Sequence, residues 1–106
     1  MTPMSRIGVL HPQSGGAVVR LEGLLDVGEA DQLAELIVGL RDDGPVAVDL
    51  HEARAVNDHA LVRLARALAA AAGRCRIVGI SEHHSRLLRY VGLEGVHSAR
   101  RPPEDA

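Results

Sequence analysis

The side chains of this 106-residue chain that could do chemistry near neutral pH are its six histidines, its single cysteine and a scatter of carboxylates. His11, His51, His83, His84 and His97, with Glu52 and Glu82, are of the types that ligate zinc. A zinc site needs three or four such ligands converging at roughly 2 Å. His83 and His84 are adjacent rather than one helical turn apart, so a helix there is expected to point them apart, and neither a metal nor a cofactor is expected. Cys75 precedes the apolar Ile77-Val78, a setting that suits a buried thiol and does not stabilise a nucleophilic thiolate. Asp49, an acid near the end of an apolar strand, invites comparison with a phosphate-accepting receiver domain. Such domains place an acidic pair after their first strand, whereas Ile7-Gly8-Val9-Leu10 is followed by Pro12. Neither Gly8 nor Gly15-Gly16 belongs to a P-loop or a dinucleotide fingerprint. No catalytic residue is expected, and the chain reads as a non-enzyme.

The polar residues that remain concentrate at one helix start, Asn57-Asp58-His59-Ala60. Asn57 or Asp58 can cap a helix whose apolar positions Leu61, Leu64, Ala65, Leu68 and Ala72 recur at three and four residues. Arg63 and Arg66 fall on its polar side, where they are candidates for meeting an acidic surface. Asn57, Asp58, His59, Ala60, Arg63 and Arg66 are therefore the expected partner-binding residues.

Other elements must hold that tip in place. Val46-Ala47-Val48-Asp49-Leu50 is too short and too β-branched for a helix and reads as a strand in the middle of a sheet. Residues 6–11 form a first short strand, and Pro12 to Gly16 make a turn into Ala17–Gly23. There Val19 and Leu21 face a core while Val18, Arg20 and Glu22 are expected on a solvated face, giving an antiparallel hairpin. Asp26, with Glu29 three residues on, caps a helix over 28–40 that buries Ala30, Leu33, Ile37 and Leu40. Asp42-Asp43-Gly44-Pro45 stops it as a solvated turn. The second helix spans 58–72 and ends at Gly73; Cys75–Ile80 is a strand; Ser81 caps a third helix carrying Leu87, Leu88 and Val91 and closed by Gly92. Val96-His97 is expected as a last edge strand. The order β-β-α-β-α-β-α-β implies an α/β fold with a mixed sheet, helices packed against it. One domain spans 6–99, with loose tails at 1–5 and 100–106.

Composition narrows the function classes. A formal net charge of −2, from twelve basic and fourteen acidic side chains, gives no general pull toward nucleic acid or anionic lipid. Tyr90 is the only aromatic residue, which removes the stacking platforms used on single strands. No apolar run approaches the roughly 18 residues of a membrane span, and no signal peptide is read. A cytoplasmic location and a protein partner are expected.

Val18–Asp26 resembles the strand leading to Gly-Glu-Leu-Asp of the STAS domains, a family that includes bacterial anti-sigma factor antagonists, the cytoplasmic domains of sulfate transporters and a small subunit of a phospholipid-transport ATPase. Val48-Asp49-Leu50 is similar to the family's central Val-x-Asp-Leu strand, and Arg86–Leu93 to its last helix with its Gly-Leu end. The resemblance covers residues 6–98. It implies a non-catalytic interaction module whose partner is an anti-sigma factor or kinase-like ATPase, or alternatively a transporter ATPase of which this would be an accessory subunit. In the phosphorylatable antagonists the segment before the second helix reads Asp-Ser-Ser-Gly-Leu, and the first serine takes the phosphate. Here Asn57-Asp58-His59-Ala60-Leu61 stands in its place. Only Leu61 is retained, Asp58 falls at the serine position, and Ala60 replaces the glycine, so the resemblance implies a switch site that is not phosphorylated there.

Overall fold

A computed structural model describes residues 5–13, 15–40, 44–70 and 75–97 of the chain. Its five strands form one mixed sheet. β1 (Ser5–Leu10) runs antiparallel to β2 (Ala17–Leu25), in the register Ile7 opposite Leu21 and Leu10 opposite Val18. The other edge of β2 is shared. β3 (Val46–Asp49) pairs in parallel with residues 17–20, and β4 (Ala53–Val56) pairs in parallel with residues 23–25 after a register shift at Gly23/Leu24. β5 (Cys75–Val78) adds in parallel beyond β3. The helices are α1 (Val27–Leu40), α2 (Asp58–Ala70) and α3 (Glu82–Tyr90).

The core forms because one side of each strand and one stripe of each helix are aliphatic. Val19, Leu21, Val46, Val48, Cys75 and Ile77 meet Leu33 and Ile37 of α1, Leu61, Leu64 and Leu68 of α2, and Leu88 of α3 in one buried cluster. With no phenylalanine or tryptophan to fill space, each such side chain contributes about 1.5–3 kcal/mol by leaving water. The strand periodicity places Val18, Ala47, Asp49 and Val78 on the opposite side of the sheet, and these too are buried. Val18 was expected on a solvated face with Arg20 and Glu22. It is buried because it lies between Leu10 and Ala47 in the register.

Several boundaries differ from expectation for local reasons. β1 begins at Ser5, one residue inside the segment read as a tail. Ala53–Val56 is a short strand not expected from the sequence; its alternation is weak, and it exists by pairing with the far end of β2. Residues 94–96 form a single 3-10 turn, and the expected edge strand reduces to one bridge between Ile77 and His97. Leu88 is the buried residue of α3, whereas Val91 is exposed because it is the residue at which the helix ends. There Gly92, at φ 78°, sends its N–H to the Arg89 carbonyl while Leu93 N–H reaches the Leu88 carbonyl, so the glycine closes the helix as expected. Ser14, Asp42-Asp43, Ala72, Gly73 and residues 1–4 and 98–106, for which turns, a helix end and tails are expected, lie outside the described residues.

Candidate functional site

α2 and α3 begin at the same edge of the sheet because they follow parallel strands, α2 after β4 and α3 after β5. In sheets of this kind the carboxyl ends of parallel strands gather the loops that can hold a site. Asn57 anchors the first of these starts. Its N–H donates to the Leu25 carbonyl at 3.0 Å, its carbonyl accepts from Leu61 N–H at 2.9 Å, and its side-chain oxygen accepts from Ala60 N–H at 3.0 Å. Asn57 is therefore the cap of α2, which settles the choice left open between it and Asp58.

Freed from capping, the Asp58 carboxylate turns toward α3. Oδ1 lies 2.9 Å from His84 Nε2, and Oδ2 lies 3.1 Å from His83 Nε2. The expectation that adjacent histidines point apart is thus corrected: successive side chains leave a helix about 100° apart, and Asp58 sits in the angle between them, meeting both rings. The two imidazoles are edge to face, with centroids 5.0 Å apart. His84 is the more enclosed, its side chain 14 % exposed against 69 % for His83 and 53 % for Asp58. The Asp58 carboxyl is held below the usual carboxylate range, chiefly by the hydrogen bond from His83; desolvation, the next largest effect, opposes this, and the charge of His83 with the bond and charge of His84 add to the lowering.

Ser81 positions the inner ring. As the cap of α3 its Oγ accepts from His84 N–H at 3.2 Å, and the same oxygen lies 2.9 Å from His84 Nδ1. Both ring nitrogens of His84 thus have a partner, Ser81 on one side and Asp58 on the other. Alongside opens a groove of about 370 Å³ lined by His51, Arg54, Val56, Ile80, Ser81 and His84 among others. Its floor is fixed by Gly79, whose φ of 79° and close approach to the His51 backbone leave no room for a side chain. Beneath it, Asp49 accepts from His51 N–H at 2.9 Å and from Arg20 Nε at 3.1 Å. Asp49, only 4 % exposed, is a structural acid of the β3 turn.

The remaining expected contact residues separate. His59 and Arg66 are exposed, and Arg66 makes no ion pair among the described residues. Arg63, expected to meet a partner's acid, has an acid of its own chain beside it. Its guanidinium grips Asp31 of α1 at 2.7 and 3.3 Å, which raises its pKa and ties the two helices together. Ala60 is fully buried, because the third position of α2 faces the core, so its side chain cannot contact a partner. Ser81, His83 and His84 were not among the expected site residues. The topology was the available signal for them, since it sets the start of α3 beside that of α2.

Among known structures the chain is similar to the anti-sigma factor antagonist SpoIIAA in its unphosphorylated form, with a TM-score of 0.62, 17 % identity, and coverage of 88 % of this chain and 86 % of that one. The fold is that of SpoIIAA. The Bacillus cell fate determinant SpoIIAA in its phosphorylated form aligns with a TM-score of 0.58 at 16 % identity, covering 88 % of this chain and 89 % of that one. No protein-family model and no curated protein matches the sequence. The mixed sheet with its three helices is the α/β fold expected from the STAS resemblance. Among the described residues no helix is long and apolar enough to cross a membrane.

Proposed function

We propose that the chain is a non-catalytic protein–protein interaction module of the anti-sigma factor antagonist kind, acting in the cytoplasm through the start and outer side of α2. The observation that carries this reading is the exposed run Asn57-Asp58-His59 at the first turn of α2 in a fold shared with an anti-sigma factor antagonist. His59 and Arg66 supply polar groups available to a partner; Asn57 and Asp58 shape the tip. The partner is an anti-sigma factor or a kinase-like ATPase. No hydroxyl occurs in Asn57-Asp58-His59-Ala60, so this segment takes no serine phosphate, and regulation comes from the partner's abundance or from its own modification.

A photo-reactive amino acid placed in turn at position 59, at position 66, and at Glu35 on the outer side of α1 tests the reading in cells that produce the protein. One protein, identified by mass spectrometry as a kinase-like ATPase, should be captured from positions 59 and 66 and not from position 35. Capture confined to position 35, or of unrelated proteins at each position, would place the working surface elsewhere.

A further inference from the structure

We propose that Asp58, His83 and His84 form a three-ligand site for a divalent transition ion of the zinc class, bridging the first turns of α2 and α3. One carboxylate oxygen and one ring nitrogen from each histidine all lie within 4.8 Å of one another. Neighbouring ligands of a tetrahedral zinc ion are about 3.3 Å apart when each is roughly 2.0–2.1 Å from the metal. With Oδ1 as the carboxylate ligand, its separations from His84 Nε2 and His83 Nε2, 2.9 and 3.3 Å, are already close to that spacing. The adjustment falls on the His83 ring, the most exposed of the three.

Two further features favour an ion over a plain ion pair. His84 would ligate through Nε2, leaving Nδ1–H to donate to Ser81 Oγ at 2.9 Å, the kind of outer hydrogen bond that fixes the tautomer and orientation of a metal-bound histidine. Ser81 already holds His84 at both its ring Nδ1 and its backbone N–H, so little freedom is lost on binding. The exposed side of Asp58 and His83 leaves the remaining coordination positions to water. Two imidazoles with one carboxylate select zinc, cobalt, nickel or copper over magnesium or calcium, which take oxygen ligands. Opposing these, the positive ends of both helices point toward the site and weaken cation binding. Glu82 does not offset this freely, because it is paired with Arg86. The affinity expected is on the order of micromolar, above 10⁻⁷ M in dissociation constant and within reach of direct titration.

The site rests on these residues alone and not on the partner reading, so either can fail without the other. Zinc is titrated by calorimetry into the full chain freed of metal by chelator, and cobalt into a parallel sample followed by visible absorption. Wild type should bind one ion per chain, with cobalt giving the intense bands of a four-coordinate ion. Asp58→Ala, His83→Ala and His84→Ala should each weaken binding more than Ser81→Ala, for which loss of an outer-shell bond predicts about 10- to 100-fold. His51→Ala and His59→Ala should leave it unchanged, and circular dichroism on every variant guards against misfolding. Absence of zinc binding below millimolar, or undiminished binding by the variant lacking all three ligands, would overturn the proposal. Loss on His51→Ala or His59→Ala in place of the named ligands would overturn it equally.

Discussion

Gly79→Ala is the substitution on which the geometry beneath the site makes its sharpest statement. A methyl group there would stand 2.7 Å from the His51 nitrogen, 2.9 Å from Asp49 Oδ1 and 3.0 Å from the His51 Cα. Two of these three atoms are backbone, and the third belongs to a carboxylate held by Arg20 and by His51 N–H, so no flexible side chain can swing away. The φ of 79° adds strain of its own for an L-residue, about 1–2 kcal/mol. Forced overpacking adds a further 1–3 kcal/mol or so. The total is about 2–5 kcal/mol, which in a domain of this size lowers Tm by about 8–40 °C, given roughly 4–8 °C per kcal/mol. Gly92→Ala is the matched control. Its φ is 78° but nothing lies within 4 Å of the added carbon, so it carries the backbone strain without the collision, about 1–2 kcal/mol. Any gain from a stiffer unfolded chain is common to both and cancels in the comparison. Calorimetric or circular-dichroism melts of the two variants give the difference directly. A Gly79→Ala protein that melts no lower than Gly92→Ala would mean that the β5–α3 connection yields easily and does not hold Ser81 and His84 rigidly in place.

Other expectations follow from single contacts. Asn57→Ala should cost about 1 kcal/mol, within a range of roughly 0.5–2, by removing the cap of α2, whereas Asp58→Ala should change the melting temperature much less; equal losses in urea titrations would return the capping role to Asp58. Burial pushes the Cys75 thiol pKa up, so a thiol reagent should react slowly with the native protein and at the rate of a free cysteine once it is unfolded in urea; fast native reaction would contradict the packing of β5. Desolvation pulls the pKa of His97 down, so the unfolded chain takes up that proton more readily than the folded one. Its contribution to stability is then fully present above the ordinary value of about 6.5 and falls as pH drops from there toward the folded value. Wild type should lose ground to His97→Gln between pH 7 and pH 5 in chemical unfolding, and a pH-independent gap between the two would refute the assignment.

The fold was legible because its signals are local and redundant. Valines at 46 and 48, the apolar spacing of Leu33, Ile37, Leu61, Leu64 and Leu68, and the caps at Asp26 and Ser81 each point to the element found. β4 was not legible, since Ala53–Val56 has one polar residue and no strict alternation, and becomes a strand only by pairing with residues 23–25 of β2. The site failed on the same ground. Asp58 and His84 are 26 positions apart, and what joins them is the placement of β5 next to β3. Helical periodicity gives only the directions in which His83 and His84 leave the helix. It cannot reveal that a carboxylate from another helix stands between those directions. The Arg63–Asp31 pair is hidden for a like reason, because the two residues are 32 positions apart and meet only where α1 lies beside α2.

What Asp58 does for a partner can be separated from what it does for its own chain. Both carboxylate oxygens are engaged by imidazoles of α3, so its charge is turned along the protein surface instead of projecting outward as a phosphate would. A phosphate brings about −1.5 to −2 charge and three acceptor oxygens; this carboxylate brings less charge and offers a partner acceptors that are already in use. On the proposed reading it therefore shapes and steadies the tip of α2, and removing its charge should not by itself raise affinity. Wild type, Asp58→Asn and Asp58→Ser are to be compared by calorimetry against the partner captured at positions 59 and 66, with chelator present so that any bound ion plays no part. Asn keeps the shape and one acceptor oxygen, whereas Ser keeps neither reach nor the contact to both rings, so affinity should fall slightly for Asn and further for Ser. A marked gain in affinity in both variants would mean that the carboxylate acts as a standing phosphate mimic that repels its partner. Unchanged affinity in both would remove Asp58 from the interface and leave the contact to His59 and Arg66.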